Sequence, residues 1–289
     1  MSSPPIASPM GRMARSWQTF KTSLRVAWQD KELMWLPVLS FLASAIAIMG
    51  ILGIGFLAGV FPQVTQPDGG VDVTAAALGF LMYLALAFVQ TYFYAAMVAG
   101  AHERLSGGDP TVGSALSAAN GRLGKIFVWS LVLATVNVVL QALRERAGHL
   151  GRIAVSLVGT AWNLATYFVV PIIMFEDQRL GASLKRSGGL FKKTWGETVV
   201  GEIGIGIAAG LIIIPVFLLA VVLAAALSMA GIVGLVVGIA AGAVLVVAAL
   251  ALVTLVQAVY KTELYRYATH GAHDAAFAGT DIEHAFRPA

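Results

Sequence analysis

The chain has 289 residues, 58% of them hydrophobic and 12% charged, with a formal net charge of +4 and no cysteine. Soluble domains carry about 25% charged residues, so this composition excludes a water-soluble globule. The missing cysteines exclude disulfides, thiolate metal sites and thiol nucleophiles.

Residues 1–12 read as a disordered arm. About 32 mostly polar residues precede the first apolar run, which is too long a polar lead for a secretory signal, so the first span is expected to persist in the mature protein. Within that lead, Trp17, Phe20, Leu24 and Trp28 form a helical apolar stripe flanked by Lys21 and Arg25. Such a helix lies in the plane of a membrane interface.

Residues 13–266 are expected to form a single transmembrane domain with spans near 33–60, 74–101, 126–143, 153–175, 198–229 and 232–260. Each is apolar over 18 or more residues, and a helix is the structure that satisfies its own backbone groups in hydrocarbon. The loop Phe61–Val73 carries Asp68 and Asp72 and no basic residue. A second stripe, Leu116, Ala119, Leu123 and Phe127, precedes the third span, with Arg122 and Lys125 beside it. A third stripe, Leu184, Ser187 or Gly188, Phe191 and Trp195, precedes the fifth span among Lys185, Arg186, Lys192 and Lys193. The fifth and sixth spans are nearly continuous, and Ser228-Met229-Ala230-Gly231 is where the chain can reverse. Residues 267–289 form a polar tail. Its His270-Gly271-Ala272-His273-Asp274 could supply zinc ligands, but a solvated end is expected there, with no metal and no cofactor.

All but three of the 19 Lys and Arg fall in the N-terminal arm, the 2–3 and 4–5 connections and the tail; Arg144, Arg146 and Arg152 are the three on the other side. Cytoplasmic loops hold the excess of basic residues, so both termini are expected in the cytoplasm and the protein in the inner cell membrane. This topology explains the positive charge, with membrane lipids as partners and no nucleic acid. Trp28, Trp35, Trp129 and Trp195 fall near the inner boundary, where indole rings prefer to sit.

Thr91-Tyr92-Phe93 through Arg104-Leu105 recurs without a gap as Thr166-Tyr167-Phe168 through Arg179-Leu180, 75 residues on. Glu176 and Arg179 recur more weakly as Glu263 and Arg266. The expected fold is all-α: a polytopic six-helix transmembrane bundle built from three hairpin repeats, each preceded by an amphipathic interfacial helix on the cytoplasmic side, with parallel units open to a pseudo-threefold arrangement.

Polar residues inside hydrocarbon are costly and mark function. Gln90, Asn137, Asn163 and Gln257 lie deep enough to line a polar path or a headgroup pocket; structural hydrogen bonds between helices are the plainer reading. Glu202 lies about one turn inside the fifth span, where its carboxyl could carry a proton or meet a cation, or else pair with Lys192 or Lys193 at the interface. Lys21, Arg25, Arg122, Lys125, Lys185, Arg186, Lys192 and Lys193 are candidate contacts for anionic lipid. Gly234, Gly238 and Gly242 in the sixth span, and Gly206 and Gly210 in the fifth, offer small faces for close helix packing, and Pro171 and Pro215 are candidate kinks. His102-Glu103 lacks the second histidine of a zincin, and neither a Gly-x-Ser-x-Gly elbow nor a phosphate-binding glycine loop is present, so no enzyme is expected.

The opening Ser16-Trp17, then Trp28-Gln29-Asp30-Lys31-Glu32-Leu33 and Leu36-Pro37, followed by six spans with basic inner loops, resembles a family of uncharacterised bacterial integral membrane proteins, a domain of unknown function. It is more loosely similar to the membrane domain found with some glycerophosphodiester phosphodiesterases and to membrane proteins linked to peptide secretion. That resemblance carries over no enzymatic residue. It implies a non-enzymatic membrane protein: a transporter or channel-like component, or alternatively a membrane scaffold or lipid-binding protein, with a lipid enzyme behind both.

Overall fold

A computed structural model describes residues 22–25, 30, 32–59 and 73–270, with side chains left aside for 195–205 and 270. The arm expected from the sequence at 1–12, Lys21, most of the first stripe, residues 60–72 with Asp68 and Asp72, Trp195, the side chain of Glu202 and most of the tail lie outside the described residues. Every long element is helical: α1 (Trp35–Leu57), α2 (Val73–Leu105), α3 (Val112–Asn120), α4 (Leu123–Arg146), α5 (His149–Ala165), α6 (Val169–Phe175), α7 (Leu180–Ser228) and α8 (Gly231–His270). Among the described residues, six stretches are long and apolar enough to cross a membrane.

Surface chemistry agrees with length. Phe56 is 75% exposed and Val244 69%, and much of α1, α7 and α8 turns Leu, Ile and Val outward. Facing water, such a continuous apolar surface would drive aggregation; facing acyl chains it costs nothing.

The chain divides into two compact units, one formed by Leu39–Ala99 with Gly113–Gly189, the other by Met1–Val38, Gly100–Val112 and Leu190–Ala289. In the second unit α7 and α8 form a tight hairpin. Gly231 opens α8 at a φ of +83°, a left-handed turn that glycine adopts without a Cβ penalty, where the sequence places the reversal. A Cβ at Gly234 would stand 1.9 Å from the carbonyl oxygen of Leu227, and one at Gly238 would stand 2.7 Å from the Ala224 Cα. These glycines therefore let the two backbones touch. By contrast, Gly206 has open space where its Cβ would be, so α7 does not use that glycine for packing.

Within α7 the backbone leaves helical geometry at Thr194 (φ −111°, ψ 16°), a kink that separates the expected third amphipathic segment from the fifth span. Of the third stripe, Ser187 and Phe191 are buried and Leu184 and Gly188 half-buried. The second stripe is shifted: Ala115 and Ala119 are buried in α3 and Ile126 in α4, whereas Leu123 and Phe127 are exposed. Trp129 is likewise turned inward, stacked on Trp162 with ring centroids 6.1 Å apart, and is no exposed boundary anchor.

The fourth span is broken. α5 stops at Ala165, and α6 resumes at Val169, two residues before Pro171. A proline at that position cannot donate to the carbonyl four residues back and its ring collides with it, so the preceding turn unwinds. The hydroxyl of Ser187 accepts the freed Phe168 N–H at 3.0 Å. The corresponding stretch of α2, with Ala96 at the place of Pro171, is continuous. Pro215 leaves α7 unbroken, with helical backbone angles on either side.

Candidate functional site

The polar residues singled out from the sequence fall in both compact units. Gln90 donates to the Ser44 hydroxyl at 3.2 Å, tying α2 to α1. Gln257 is half-buried on α8, in the other unit. Asn137 and Asn163 do come together: both line a cavity of about 590 Å³ between α4 and α5, with Tyr83 of α2 at its side.

Two polar stripes build this groove. On α4, Asn137, Gln141 and Arg144 recur at helical spacing, with Glu145 beside them; on α5, Ser156, Gly159, Thr160 and Asn163 do the same. Residues three or four apart share a helix face, so each helix presents a polar strip to the other and an apolar face outward. Leu150, Ile153, Leu157 and Val158 of α5 are exposed on that outer side.

Few of these groups satisfy one another across the gap. Asn137 donates its amide to the Leu133 carbonyl at 3.0 Å, Thr160 donates to the Ser156 carbonyl at 3.0 Å, and Gln141 donates to Glu145 at 2.9 Å, each within its own helix. Arg144 forms no ion pair with a described residue. The Asn163 amide makes no hydrogen bond to one either. A Cβ on Gly159 would meet only Leu140 Cδ1 at 3.8 Å, which leaves the middle of the groove open. From Arg144 to Asn137 the groove runs about 10 Å along α4, at about 1.5 Å per residue.

The basic residues have divided fates. Arg122 and Lys125 both donate to Asp177, at 3.0 and 2.6 Å, and Arg186 donates to Glu176 at 2.6 Å. The Lys125 and Arg122 hydrogen bonds hold the Asp177 carboxyl below its ordinary range. Arg25, Lys185, Lys192 and Lys193 are exposed. Sequence reasoning missed a further pair: Asp30, 5% exposed, accepts a bidentate hydrogen bond from Arg104, which also reaches Asp109 at 2.7 Å. Arg266 of α8 donates to the His102 carbonyl at 3.2 Å and to the Ser106 hydroxyl at 2.6 Å, closing the C-terminal end of α2.

Gln141, Arg144, Glu145, Ser156 and Thr160 were also missed. Their signal was present as polar residues at i, i+4 and i+7 on α4 and on α5, facing one another across a two-residue turn.

Residues 73–275 match DUF6159, a family of unknown function, and the chain belongs to that family. The match begins after the opening Ser16–Pro37 motif, which therefore lies outside it. Neither the curated proteins nor the solved structures contain a match to the chain.

Proposed function

Starting from a membrane-spanning member of a family to which no activity is attached, we propose that the chain is a non-enzymatic protein that binds an amphiphile within the bilayer, in the groove between α4 and α5. One observation carries this reading: amides, hydroxyls and a guanidinium line a cavity of about 590 Å³ beside exposed apolar residues of α4 such as Val138, Val139 and Leu143. A polar strip left empty in hydrocarbon costs several kcal/mol per unpaired group. A ligand with a polar head and an apolar body matches both surfaces, and pockets of about 300–1,000 Å³ are the ordinary size for small ligands.

The charge distribution supports an orientation with both termini in the cytoplasm of a bacterial cell, which places the Arg146–His149 turn outside. In the same reading, exposed Arg25, Lys185, Lys192 and Lys193 contact anionic headgroups of the inner leaflet. The 75-residue repeat supports three parallel hairpin units related by duplication.

The test is native mass spectrometry of the protein released from its own membranes in mild detergent. Wild type retains a bound amphiphile after the detergent is stripped, and a variant combining Asn137→Leu and Asn163→Leu loses it. A wild-type protein that emerges bare under every condition that preserves its fold refutes the proposal.

Transport is the second reading, and the broken span favours it. Asn163 sits one turn before the interruption at Thr166–Phe168, and interrupted helices beside polar residues are where transporters hold substrate. Under that reading, replacing Gln90, Asn137, Asn163 and Gln257 by Leu abolishes flux; unchanged flux removes it.

A further inference from the structure

Three cations stand where membrane proteins select against them. The orientation rule puts basic residues inside, yet Arg144, Arg146 and Arg152 all cluster on the one hairpin end predicted to lie outside. That hairpin end is also the mouth of the groove, and Arg144 belongs to its lining. Two independent features, an unfavourable charge placement read from sequence and a polar cavity read from structure, thus fall on the same residues.

We propose that the groove takes a phosphate-bearing lipid from the outer leaflet, with Arg144 pairing to the headgroup phosphate. The proposal rests on the amphiphile-binding reading above and adds the chemistry of the head. Planar guanidinium matches a phosphate with two parallel N–H donors, and Arg144 has no carboxylate partner among the described residues to compete. The one acid in the lining, Glu145, accepts a hydrogen bond from Gln141 on its own helix. The three arginines outnumber it, so the mouth remains cationic at neutral pH. Below the phosphate, the Asn163 amide, which makes no hydrogen bond to a described residue, is placed for the ester and glycerol oxygens of the lipid. The exposed apolar residues Val138, Val139 and Leu143 of α4 offer a track for the acyl chains.

Elsewhere in the protein the basic groups are less suited to this role. Arg104 is engaged by Asp30 and Asp109, and Arg122, Lys125 and Arg186 by Asp177 and Glu176. The three outer arginines are also the ones that the cytoplasmic headgroup charge does not explain.

The experiment uses the full chain reconstituted in vesicles of digalactosyldiacylglycerol, a bilayer lipid without phosphate, containing a photoactivatable phosphatidylglycerol, with the cross-linked peptides mapped by mass spectrometry. Cross-links are expected on the peptides of α4 and α5 that line the groove. Unlabelled phosphatidylglycerol is expected to compete about ten-fold better than diacylglycerol, which has the same chains and no phosphate, the factor that one charge-assisted hydrogen bond contributes. Arg144→Gln should erase that preference and Arg144→Lys should keep part of it, while Gly159→Leu, which fills the groove, should abolish labelling there altogether. Inorganic phosphate at millimolar concentration should not compete; if it does, the ligand is a free anion and the lipid assignment is overturned. Equal competition by both lipids, unaltered in Arg144→Gln, overturns the phosphate assignment and leaves amphiphile binding standing. Labelling spread evenly over all six spans, and unchanged by Gly159→Leu, overturns both.

Discussion

Replacing Gly238 by alanine puts the packing of the α7–α8 hairpin to a quantitative test. The new Cβ would stand 2.7 Å from the Ala224 Cα and 3.2 Å from the Leu223 carbonyl oxygen, both backbone atoms that no rotamer change can move. Carbon atoms rest at about 3.5–4.0 Å, so α8 must retreat by about 1 Å over at least one turn. Overpacking of that kind costs about 1–3 kcal/mol. Alanine recovers about 1 kcal/mol through its helix propensity, leaving a net loss of about 0–2 kcal/mol. Gly234→Ala should cost more, because its Cβ would sit 1.9 Å from the Leu227 carbonyl oxygen. Gly206→Ala is the control: nothing lies within 4 Å, so only the propensity gain remains. Reversible unfolding in mixed micelles with increasing dodecyl sulfate should rank Gly206→Ala at or above wild type, then Gly238→Ala, then Gly234→Ala. If the three variants shift together, the close approach of the two helices is refuted.

Three further outcomes follow from the same geometry. Ser187→Ala leaves the Phe168 N–H without its acceptor in a buried break and should destabilise the protein by about 1–3 kcal/mol, read in the same unfolding assay; Ser187→Thr, which keeps the hydroxyl, should lose less. Asp30→Ala strands a largely buried arginine, and a loss of about 3 kcal/mol is expected, the lower bound for a buried pair broken on one side, since Asp109 still reaches Arg104. The carboxyl of Asp177 titrates below its unfolded value of 3.8, so its tie to Lys125 and Arg122 contributes stability above that value and loses it as pH falls through the lower, folded one. Wild type should therefore lose more stability than Asp177→Asn between neutral and strongly acidic pH, by a small margin because the carboxylate is exposed; identical pH profiles would contradict the pairing.

Much of the helical framework could be read from the residues because bilayer spans are a matter of composition and length. The reversal at Ser228–Gly231 was legible for a related reason, as one polar-to-glycine step between two long apolar runs, and the structure turns there. Pro171 was visible as a disturbance, but not that the helix would part at Thr166–Phe168 rather than bend. That outcome depends on Ser187, 19 residues away, to satisfy the freed N–H. Pro215 lies in a comparable run and leaves its helix whole, so proline alone did not decide it. The ion pairs Asp30 with Arg104, and Asp177 with Arg122 and Lys125, join residues 74, 55 and 52 apart in sequence and leave no local pattern to read. Asn137 and Asn163 stood out because amides are rare in spans. Arg144 and Ser156 did not, since residues near a span's end read as ordinary boundary residues until α4 and α5 are seen to face each other.

The absence of cysteine makes the central claim directly measurable, because any introduced thiol is the sole one in the chain. Single cysteines at Thr160, on the groove face of α5, and at Val158, on its outer apolar face, can be challenged in intact cells with a membrane-impermeant maleimide. A polar groove open to the outside predicts rapid labelling at position 160 from the extracellular side, and none at position 158, with lipid carrying a phosphate headgroup protecting the first. Equal labelling of both positions, or labelling of position 160 only after the cytoplasmic side is exposed, would contradict it.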